Sequence, residues 1–295
     1  MSFKNNLCPI CGSEITIPVW FYLQYMIAKC SDCDVEFSLP FIGGDISYYS
    51  SHETYRDLES QIKKDGIPIG NIAIAKEIDH VFRSYFKKNN NQICVLDYGC
   101  GSGWCCSQLM QKGYDVIGVD FNPEMIRVSK KIFGVNAFLE QEKDSWKIRK
   151  FDAIIINHVL EHVSNPVELL SKLRDSLSIN GIVFISVPNR DFIRARKKLR
   201  LGQLPAANYP PHHITFWSVR SLNHVLSASG YKVLRCFEQA YPEEIQMTKS
   251  LREKFKRWAG LVPCKQFAAF SACMGNVLKI SGVNLFAVGQ PKWLR

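Results

Sequence analysis

The sequence predicts an α/β fold built around a mostly parallel sheet, and three observations carry this prediction. Short apolar runs alternate with helical patterns over most of the 295 residues. A glycine-rich turn, with Gly99, Gly101 and Gly103, directly follows one apolar run. The next apolar run ends in a single acid, Asp120, so strand, turn, helix and second strand follow at the spacing of ligand-binding units.

The glycine-rich turn is the centre of this prediction. A buried strand ends at Asp97 just before the turn, and the glycines let the backbone approach a ligand where a Cβ atom would obstruct it. A helix then runs to about Lys112, and a second buried strand ends at Asp120. Asp120 is therefore placed to accept hydrogen bonds from the hydroxyl groups of a ribose.

The spacing of the glycines distinguishes between two cofactors. A dinucleotide fingerprint needs a third glycine, but Trp104 and Cys106 occupy that position when counted from Gly99 and Gly101. The acid at the turn, Asp97, would repel a pyrophosphate and favour an ammonium group. S-adenosylmethionine (SAM) carries an ammonium group and a ribose but no phosphate, so SAM is the predicted cofactor.

The residues DYGCGSG, followed by Asp120 at the end of the next strand, resemble the first two motifs of class I SAM-dependent methyltransferases. A glycine-rich turn in some other α/β protein is the alternative. The resemblance implies a Rossmann-like, seven-stranded class I methyltransferase sheet. It also implies a cofactor site on the glycine turn and on the strand ends. The candidate SAM-binding residues are Asp97, Gly99, Cys100, Gly101, Gly103, Asp120, Phe121, Gln141 and Asn157.

The N-terminal region contains two C-x-x-C turns, formed by Cys8 with Cys11 and by Cys30 with Cys33. Their separation is typical of a tetrahedral zinc site with four thiolate ligands. Four cysteines leave no open coordination position, and no βαβ pattern surrounds either turn, so we expect a structural Zn²⁺ and not a catalytic or redox site. Residues 18–30 are expected to form a strand that returns to the second turn.

The chain therefore divides into three predicted parts. We expect a zinc ribbon over residues 1–40, a connector over 41–70 and a methyltransferase domain over 71–295, with a helical insertion at about 243–281. A ribbon followed by the pair Tyr48-Tyr49 resembles a bacterial and archaeal subgroup of methyltransferases that is often associated with glycan or lipid modification. The tyrosines are equally consistent with packing of the ribbon on the main domain.

The remaining elements continue the alternation of helix and strand. Asn180-Gly181 is expected to end a helix, and the last strand is expected to pair antiparallel with a sixth strand that begins after Gly230. Asn122 and Pro123 mark a helix start. We predict helices over residues 71–87, 123–133, 167–177 and 219–228, and strands over residues 137–139, 151–157, 182–187 and 283–290.

The segment from His158 to His162 follows the fourth predicted strand. The pattern of strand, Leu-Glu-His-Val and proline-started helix resembles the ubiquinone-type and related small-molecule methyltransferases. His158 and His162 also fit the inverted zinc-protease pattern H-x-x-E-H. That pattern needs both histidines on one long helix, whereas here an apolar strand ends immediately before His158.

Two histidines are candidates for the catalytic base. The sulfonium of SAM makes the methyl group electrophilic, so the protein mainly aligns donor and acceptor and excludes water. A hydroxyl acceptor would also need a base, and an ordinary imidazole, with a pKa of about 6.5, suits that role. We name His213, which precedes an aromatic-serine helix start, and His158. Each is equally consistent with a structural histidine, and catalysis by proximity alone stays open.

The net charge of the chain is +10, because 37 Lys and Arg residues outnumber 27 Asp and Glu residues. This excess predicts an acidic partner. Two basic stretches leave the predicted sheet at the carboxyl ends of strands, so we expect them to line the acceptor side of the site. These residues are Arg190, Arg194, Arg196, Lys197, Lys198 and Arg200, and Lys249, Arg252, Lys254, Lys256 and Arg257.

Residues 245–262 predict a basic amphipathic helix able to lie on an anionic membrane, although such helices more often pack on their own domain. The N-terminus lacks an apolar targeting core, and eleven cysteines fit a reducing compartment. We therefore expect a cytoplasmic protein, with residues 245–262 allowing peripheral contact at the inner membrane face. Lys279 within residues 267–288 argues against a membrane span there.

Three functions are consistent with these observations. The favoured one is methyl transfer from SAM to a small-molecule, glycan or lipid-linked acceptor, which the charge predicts to be anionic. An RNA methyltransferase is the first alternative, but nucleic acid is less favoured because the sequence has no aromatic-basic platform and no Asn/Asp-Pro-Pro-Tyr/Phe motif after the fourth strand. A non-catalytic binding protein that keeps the fold is the second, and the intact glycines and acids count against it.

Overall fold

The computed structural model describes residues 7–14, 17–44, 48, 58–66, 69–147, 149–198, 208–239 and 284–293. The predicted insertion at 243–281 and the predicted amphipathic helix at 245–262 therefore lie outside the described residues. Part of the connector, residues 45–47, 49–57 and 67–68, does so as well. The boundaries of the ribbon, connector and methyltransferase domain stay predictions.

The strands of the described chain form two sheets. In chain order they are β1 (Ile17–Tyr22), β2 (Tyr25–Lys29), β3 (Glu36–Leu39), β4 (Cys94–Tyr98), β5 (Asp115–Asp120), β6 (Asn136–Leu139), β7 (Phe151–Asn157), β8 (Leu177–Pro188), β9 (Thr215–Phe216), β10 (Tyr231–Gln239) and β11 (Asn284–Pro291).

The helices of the same residues are α1 (Leu58–Asp65), α2 (Ile69–Tyr85), α3 (Trp104–Gln111), α4 (Pro123–Phe133), α5 (Lys143–Trp146), α6 (Pro166–Arg174), α7 (Arg190–Lys198) and α8 (Val219–Ala228). Among the helices that the structure describes, we find none long and apolar enough to cross a bilayer.

The larger sheet has seven strands in the order β10-β11-β8-β7-β4-β5-β6. Strands β4, β5, β6, β7 and β8 run parallel to one another, whereas β11 pairs antiparallel with both β8 and β10. The chain moves outward from β4 in both directions, first to β5 and then to β7. The carboxyl ends of β4 and β5 therefore flank a point where the strand order reverses, which is where open α/β sheets bind ligands. This architecture confirms the predicted fold class.

The central strands are apolar because both faces of the sheet are covered. Leu96, Ile154 and Ile156 join one buried cluster, whereas Val95 and Ile155 join the cluster on the opposite face. Successive residues thus alternate between two apolar layers, as the two-residue period of a strand requires. This rigid sheet positions the ends of β4, β5, β6 and β7 relative to one another.

The smaller sheet has the order β1-β2-β3-β9 and is antiparallel throughout. The single strand expected over residues 18–30 is wrong, because a turn at Leu23, with φ of 49°, folds this segment into the β1–β2 hairpin. The fourth strand, β9, comes from the C-terminal half of the chain. Its neighbour Ile214 accepts a hydrogen bond from the Ser38 amide at 2.9 Å. The ribbon sheet is therefore completed by the main domain.

One further boundary differs from the prediction. Asn180-Gly181 does not end a helix; α6 ends at Arg174, and β8 starts at Leu177 and continues through both residues. The pairing of β8 with β7 is irregular between Phe151 and Ala153, so the extra residues of β8 are accommodated as a bulge. A Cβ atom at Gly181 would lie 3.0 Å from the Phe151 carbonyl oxygen, which explains the glycine.

Candidate functional site

A cavity of about 660 Å³ lies at the carboxyl ends of the parallel strands. It is within the size range of small-molecule sites. The residues that line it come from the glycine turn, the ends of β5 and β6, and the segment after β7. They are Gly44, Tyr98, Gly99, Gly101, Val119, Asp120, Phe121, Asn122, Met125, Glu140, His158, Val159, His162, Val163, Asn165, Glu168, Leu169 and Lys172.

The glycine turn has three residues in the left-handed region. Gly99, Gly101 and Gly103 have φ values of 78°, 52° and 85°, which side chains with a Cβ rarely adopt. A Cβ atom at Gly103 would lie 2.8 Å from the Cβ of Ser129, so Gly103 is required for packing of α3 on α4. A Cβ atom at Gly101 would meet no heavy atom within 4 Å. Gly101 thus lines open space in the cavity, whereas Gly103 lies behind it.

Asp120 ends β5 and lines the cavity. Its carboxylate accepts hydrogen bonds at 2.9 Å from the backbone N–H groups of Gly101 and Asn122, one on each oxygen. Burial raises the pKa of Asp120, and hydrogen bonds from the backbone of Asn122, Gly101 and Phe121 oppose this effect. Each carboxylate oxygen can accept a second hydrogen bond. Asp120 therefore holds the glycine turn in place and can still accept hydrogen bonds from a ligand.

Asp97 and Cys100 lie beneath the glycine turn, and neither is among the residues that line the cavity. Burial raises the pKa of Asp97 to about 6. The Cys106 thiol donates to Asp97 Oδ2 at 3.1 Å, and Asp97 Oδ1 has no hydrogen-bond partner. Cys100 packs against β5, since its sulfur lies 2.8 Å from the Cβ position of Gly118. Asp97 is thus a buried acid with one unsatisfied oxygen directly below the turn.

The end of β6 contributes Glu140, not the predicted Gln141. The Glu140 amide donates to the Asp120 carbonyl at 2.9 Å, so pairing with β5 continues through Glu140 and directs it to the cavity. The Tyr98 hydroxyl donates to Glu140 Oε1 at 2.7 Å. Burial and the adjacent Glu140 raise the pKa of Tyr98. Gln141 is exposed and does not line the cavity, because the chain turns away after Glu140.

Phe121, which was predicted, also lines the cavity and is 38% exposed. Asn157 ends β7 as predicted but does not line the cavity; its Oδ1 atom is buried and has no hydrogen-bond partner. Sequence reasoning missed Tyr98, Asn122 and Met125. A usable signal existed for two of them, since Tyr98 is the last residue before the glycine turn and Asn122 caps α4 two residues after Asp120.

His158 follows β7 directly and lines the cavity. Its backbone has a φ of 54°, and its amide donates to the Ser186 carbonyl at 2.9 Å. Its ring Nδ1 atom lies 3.0 Å from Oε1 of Glu161, a carboxylate that is only 1% exposed. About one third of the His158 side chain is accessible. A buried carboxylate that binds one ring nitrogen orients the imidazole and leaves the other nitrogen for a ligand.

His213 is placed differently from His158. It is buried, and burial together with the neighbouring histidines lowers its pKa well below the ordinary range. It does not line the cavity but packs against His162 and His212. His162, which sequence reasoning did not select, does line the cavity. Of the two predicted base candidates, the structure brings only His158 to the cavity wall.

The four N-terminal cysteines form one cluster, with all their sulfur atoms within 4.8 Å of one another. The sulfur of Cys8 lies 3.5 Å from that of Cys33, and the Cys11 and Cys30 sulfurs are also 3.5 Å apart. Thiolates on one tetrahedral Zn²⁺ would be separated by about 3.8 Å, since the Zn–S distance is about 2.3 Å. The donor set therefore fits a zinc ion with little movement of the side chains.

Arg190 and Arg194 do not line the cavity, so the prediction is wrong for these two residues. Arg190 is buried against the ribbon, where it contacts Asp34 at 2.8 Å and Glu36 at 3.3 Å. Arg194 also binds Glu36. Burial raises the pKa of Glu36, and the arginines oppose this effect. These two arginines attach the ribbon to α7. Arg200 and the second basic stretch lie outside the described residues.

Comparison with known proteins shows to which family the segment that forms this cavity belongs. Residues 72–235, more than half of the chain, match the family model described as "Methyltransferase domain". The chain belongs to the methyltransferase-domain family. The match covers the glycine turn, the ends of β4 to β7 and His158, so it includes most of the residues that line the cavity.

Curated relatives of this methyltransferase-domain protein include two ubiquinone biosynthesis O-methyltransferases. The enzyme from Histophilus somni is 34% identical over 110 residues, which is 33% of this chain and 46% of the relative. The enzyme from Pasteurella multocida is 26% identical over 142 residues, 42% of this chain and 59% of the relative. The chain thus spans about half the length of the curated relatives it matches.

Solved structures agree on the fold. The plantazolicin methyltransferase BpumL, solved in complex with SAH, has a TM-score of 0.54 and 18% identity, and the alignment covers 84% of this chain and 94% of that chain. The plantazolicin methyltransferase BamL has a TM-score of 0.54 and 16% identity over the same shares of the two chains. At these identities the likeness establishes the Rossmann-like methyltransferase fold.

Proposed function

We propose that this protein transfers the methyl group of SAM to a small-molecule acceptor bound in the same cavity. The observation that carries the proposal is the arrangement of Gly101 and Asp120 at the cavity wall. The glycine turn leaves open space beside its backbone. Asp120, at the end of the second strand, can accept further hydrogen bonds, which the hydroxyl groups of a ribose would donate. The family membership and the SAH complexes of the relatives are consistent with this cofactor.

The residues around the cavity fit the separate parts of SAM. Asp120 would accept hydrogen bonds from the ribose, and Phe121 and Glu140 would contact the adenine. Asp97 would favour the ammonium end, because its Oδ1 atom is buried without a hydrogen-bond partner below the turn. Gly99 and Gly101 would allow close approach of the backbone. Bound SAM supplies an electrophilic methyl group.

We propose His158 as the base that accepts a proton from the acceptor. It lines the cavity, and Glu161 holds its Nδ1 atom at 3.0 Å, so the Nε2 atom carries the lone pair. Glu161 acts through His158 and is a positioning residue. His213 remains a weaker candidate for this role, because it is buried behind the wall of the cavity.

The identity of the acceptor is a finer proposal. The relatives are methyltransferases whose names refer to ubiquinone biosynthesis and to plantazolicin, which supports a small-molecule acceptor. The net charge of +10 favours an anionic one, such as a glycan or lipid-linked intermediate, with residues 245–262 in peripheral contact with the membrane. Transfer to RNA and binding without catalysis are less favoured, since no described feature supports them specifically.

We also propose that Cys8, Cys11, Cys30 and Cys33 hold a structural Zn²⁺. Two pairs of sulfurs already lie 3.5 Å apart, and three of the four side chains are buried. Four thiolates saturate a tetrahedral ion, so the metal would stabilise the ribbon and not take part in methyl transfer.

Calorimetry with S-adenosylhomocysteine (SAH) tests the cofactor site. We expect Asp120→Ala to weaken SAH binding at least about tenfold, because at least one charge-assisted hydrogen bond is lost. Asp115→Ala is the matched control, since Asp115 begins the same strand at the opposite edge of the sheet. Equal affinity of Asp120→Ala and the unaltered chain would overturn the assignment.

Single-turnover kinetics test the base once an acceptor is known. His158→Gln should lower the rate of methyl transfer while SAH affinity stays unchanged, and Glu161→Gln should lower it less. A rate unaffected by His158→Gln would mean that proximity alone supports the reaction.

A further inference from the structure

Three histidines from two distant segments meet beside the cavity. His162 ends the turn of 3₁₀-helix that follows β7, whereas His212 and His213 precede β9. Two hydrogen bonds join the segments: the Ile214 amide donates to the Glu161 carbonyl at 2.8 Å, and the Thr215 hydroxyl donates to the Leu160 carbonyl at 3.1 Å. Each imidazole offers one nitrogen within 4.8 Å of the nitrogens of the other two. The cluster is thus built on paired backbone and not on mobile side chains alone.

The spacing of the three rings matches what a shared metal ion requires. The centroid of the His162 ring lies 4.7 Å from that of His212 and 4.8 Å from that of His213. The centroids of the His212 and His213 rings are 5.3 Å apart. Imidazoles bound to one tetrahedral ion, with metal–nitrogen distances of about 2.0 Å, have ring centroids roughly 5 Å apart. The rings are therefore at the separation that a shared ion requires, and their ligand nitrogens, which lie within 4.8 Å of one another, would approach to about 3.3 Å on binding it.

His162 also has the outer hydrogen bond that metal-binding histidines usually make. Its Nδ1 atom donates to the His212 carbonyl oxygen at 2.7 Å. Because Nδ1 carries the proton, the lone pair of the neutral ring lies on Nε2. A backbone carbonyl in this position fixes the tautomer and the orientation of a ligating imidazole.

We propose that His162, His212 and His213 form a binding site for a divalent transition metal ion such as Zn²⁺, separate from the four-cysteine cluster. Three neutral imidazoles suit Zn²⁺ and its first-row neighbours. Three protein ligands leave a fourth coordination position open, unlike the four thiolates of the ribbon.

The open position gives the site a role in the cavity. His162 both belongs to the cluster and lines the cavity, so the fourth ligand would be a water molecule or an oxygen atom of a bound acceptor. A metal-bound oxygen is more acidic and is held in a defined direction. This use of the metal rests on the proposed methyl transfer, whereas the metal site itself does not.

Titration of the metal-free full-length chain with Co²⁺ tests the proposal. The first equivalent should produce thiolate-to-metal absorption from the four cysteines. A second equivalent should bind, at least about tenfold more weakly, without adding to that absorption, because its ligands are nitrogen atoms. Saturation at a single equivalent would overturn the proposal, and this result does not depend on any variant. SAH binding, measured on the same samples, reports separately on the cofactor site.

Variants assign the second equivalent to the cluster. His213→Gln and His162→Gln should each abolish the second equivalent, or weaken it at least about tenfold, and should leave the thiolate absorption intact. His80→Gln, which changes an exposed histidine of α2, is the matched control and should bind two equivalents. If both cluster variants retain the second equivalent at full affinity, the metal lies elsewhere and the assignment is wrong.

Discussion

The ribbon sheet consists of four short strands, one of them only two residues long, whereas the strands at the centre of the larger sheet are covered on both faces. Ile154, Ile155 and Ile156 of β7 are all fully buried, but the edge strand β1 leaves Ile17 and Phe21 more than half exposed. The larger sheet is therefore held by apolar burial. The ribbon has less apolar burial, so we expect its stability to depend on the cysteine cluster and on its contacts with the main domain.

The two regions also differ in how the charge of a buried acid is compensated. Glu36 of the ribbon binds Arg190 and Arg194, so its charge is compensated within the protein. Asp97, below the glycine turn, has a thiol donor and an oxygen without a hydrogen-bond partner. A compensated acid contributes to structure, whereas an acid without a cation is stable as an anion only once a ligand supplies the charge. Glu36 therefore fits a structural junction, whereas Asp97 fits a binding site.

Loss of the proposed metal should have the largest effect, and this effect should be confined to the ribbon. Cys30→Ser combined with Cys33→Ser should abolish Zn²⁺ binding at the ribbon and remove on the order of 10 kcal/mol of metal-binding free energy from its folding. Elemental analysis and limited proteolysis measure this, and we expect cleavage within the ribbon but not within the seven-stranded sheet. Cys236→Ser, at a half-buried thiol of β10, is the control. Unchanged zinc content would contradict the assignment.

The ion pairs at the junction should have the next largest effect. Arg190→Met leaves Glu36 buried without its most enclosed cation, and we expect about 3–5 kcal/mol of destabilisation, measured by urea unfolding. Arg194→Met should cost less, because Arg194 is more exposed. Adding Glu36→Gln to Arg190→Met should restore part of the lost stability. A double variant no more stable than Arg190→Met would show that the charge of Glu36 is not the cause.

The pH dependence of the free energy of unfolding tests the effect of burying Asp97. The pKa of Asp97 is raised from 3.8 to about 6, so the folded state binds its proton more tightly than the unfolded state does. Without a ligand, ionisation of Asp97 should therefore reduce stability by about 3 kcal/mol as the pH rises from about 4 to 6. Asp97→Asn should remove this loss in unfolding titrations across that range. Identical pH profiles for the two proteins would refute the effect.

Two glycine substitutions give the smallest expected effects. Gly101→Ala and Gly103→Ala each force a left-handed conformation and should cost about 1–2 kcal/mol of stability. Gly103→Ala should be the more destabilising, because its Cβ would also crowd Ser129. Gly101→Ala should instead weaken SAH binding more, since its Cβ enters the cavity. Thermal unfolding and SAH calorimetry on both variants check this order, which would be reversed if Gly101 were the packed position.

Local signals account for the parts of the fold that were predictable. The bounds of α4 and α8 follow from the Asn122 and Ser218 caps, and the apolar run of β7 has no competing interpretation. The Asn180-Gly181 pair misled because a strand bulge and a helix end share the same residues. The position of Glu140 depended on whether β6 pairs for one residue more, which no local pattern determines.

Contacts between distant residues account for what sequence reasoning missed. Arg190 and Asp34 are 156 residues apart, so the basic stretch was interpreted by its charge and strand position and not by its partner. His162 meets His212 across 50 residues, and neither was selected as a site residue from its local sequence. By contrast, Asp120 and the glycine turn were found because strand, turn and acid lie within one continuous segment.

The late position of β9 has a consequence for how the protein is made. The ribbon residue Asp34 accepts a hydrogen bond from Ser218, which lies 184 residues further along the chain. A ribosome releases the N-terminal cysteines long before it translates β9, so β3 has an unpaired edge until most of the chain has emerged. Early binding of metal by the two C-x-x-C turns would hold the nascent hairpin in register until β9 has been translated. The ribbon would then dock once residues 215–218 have been translated, before β10 and β11 complete the larger sheet.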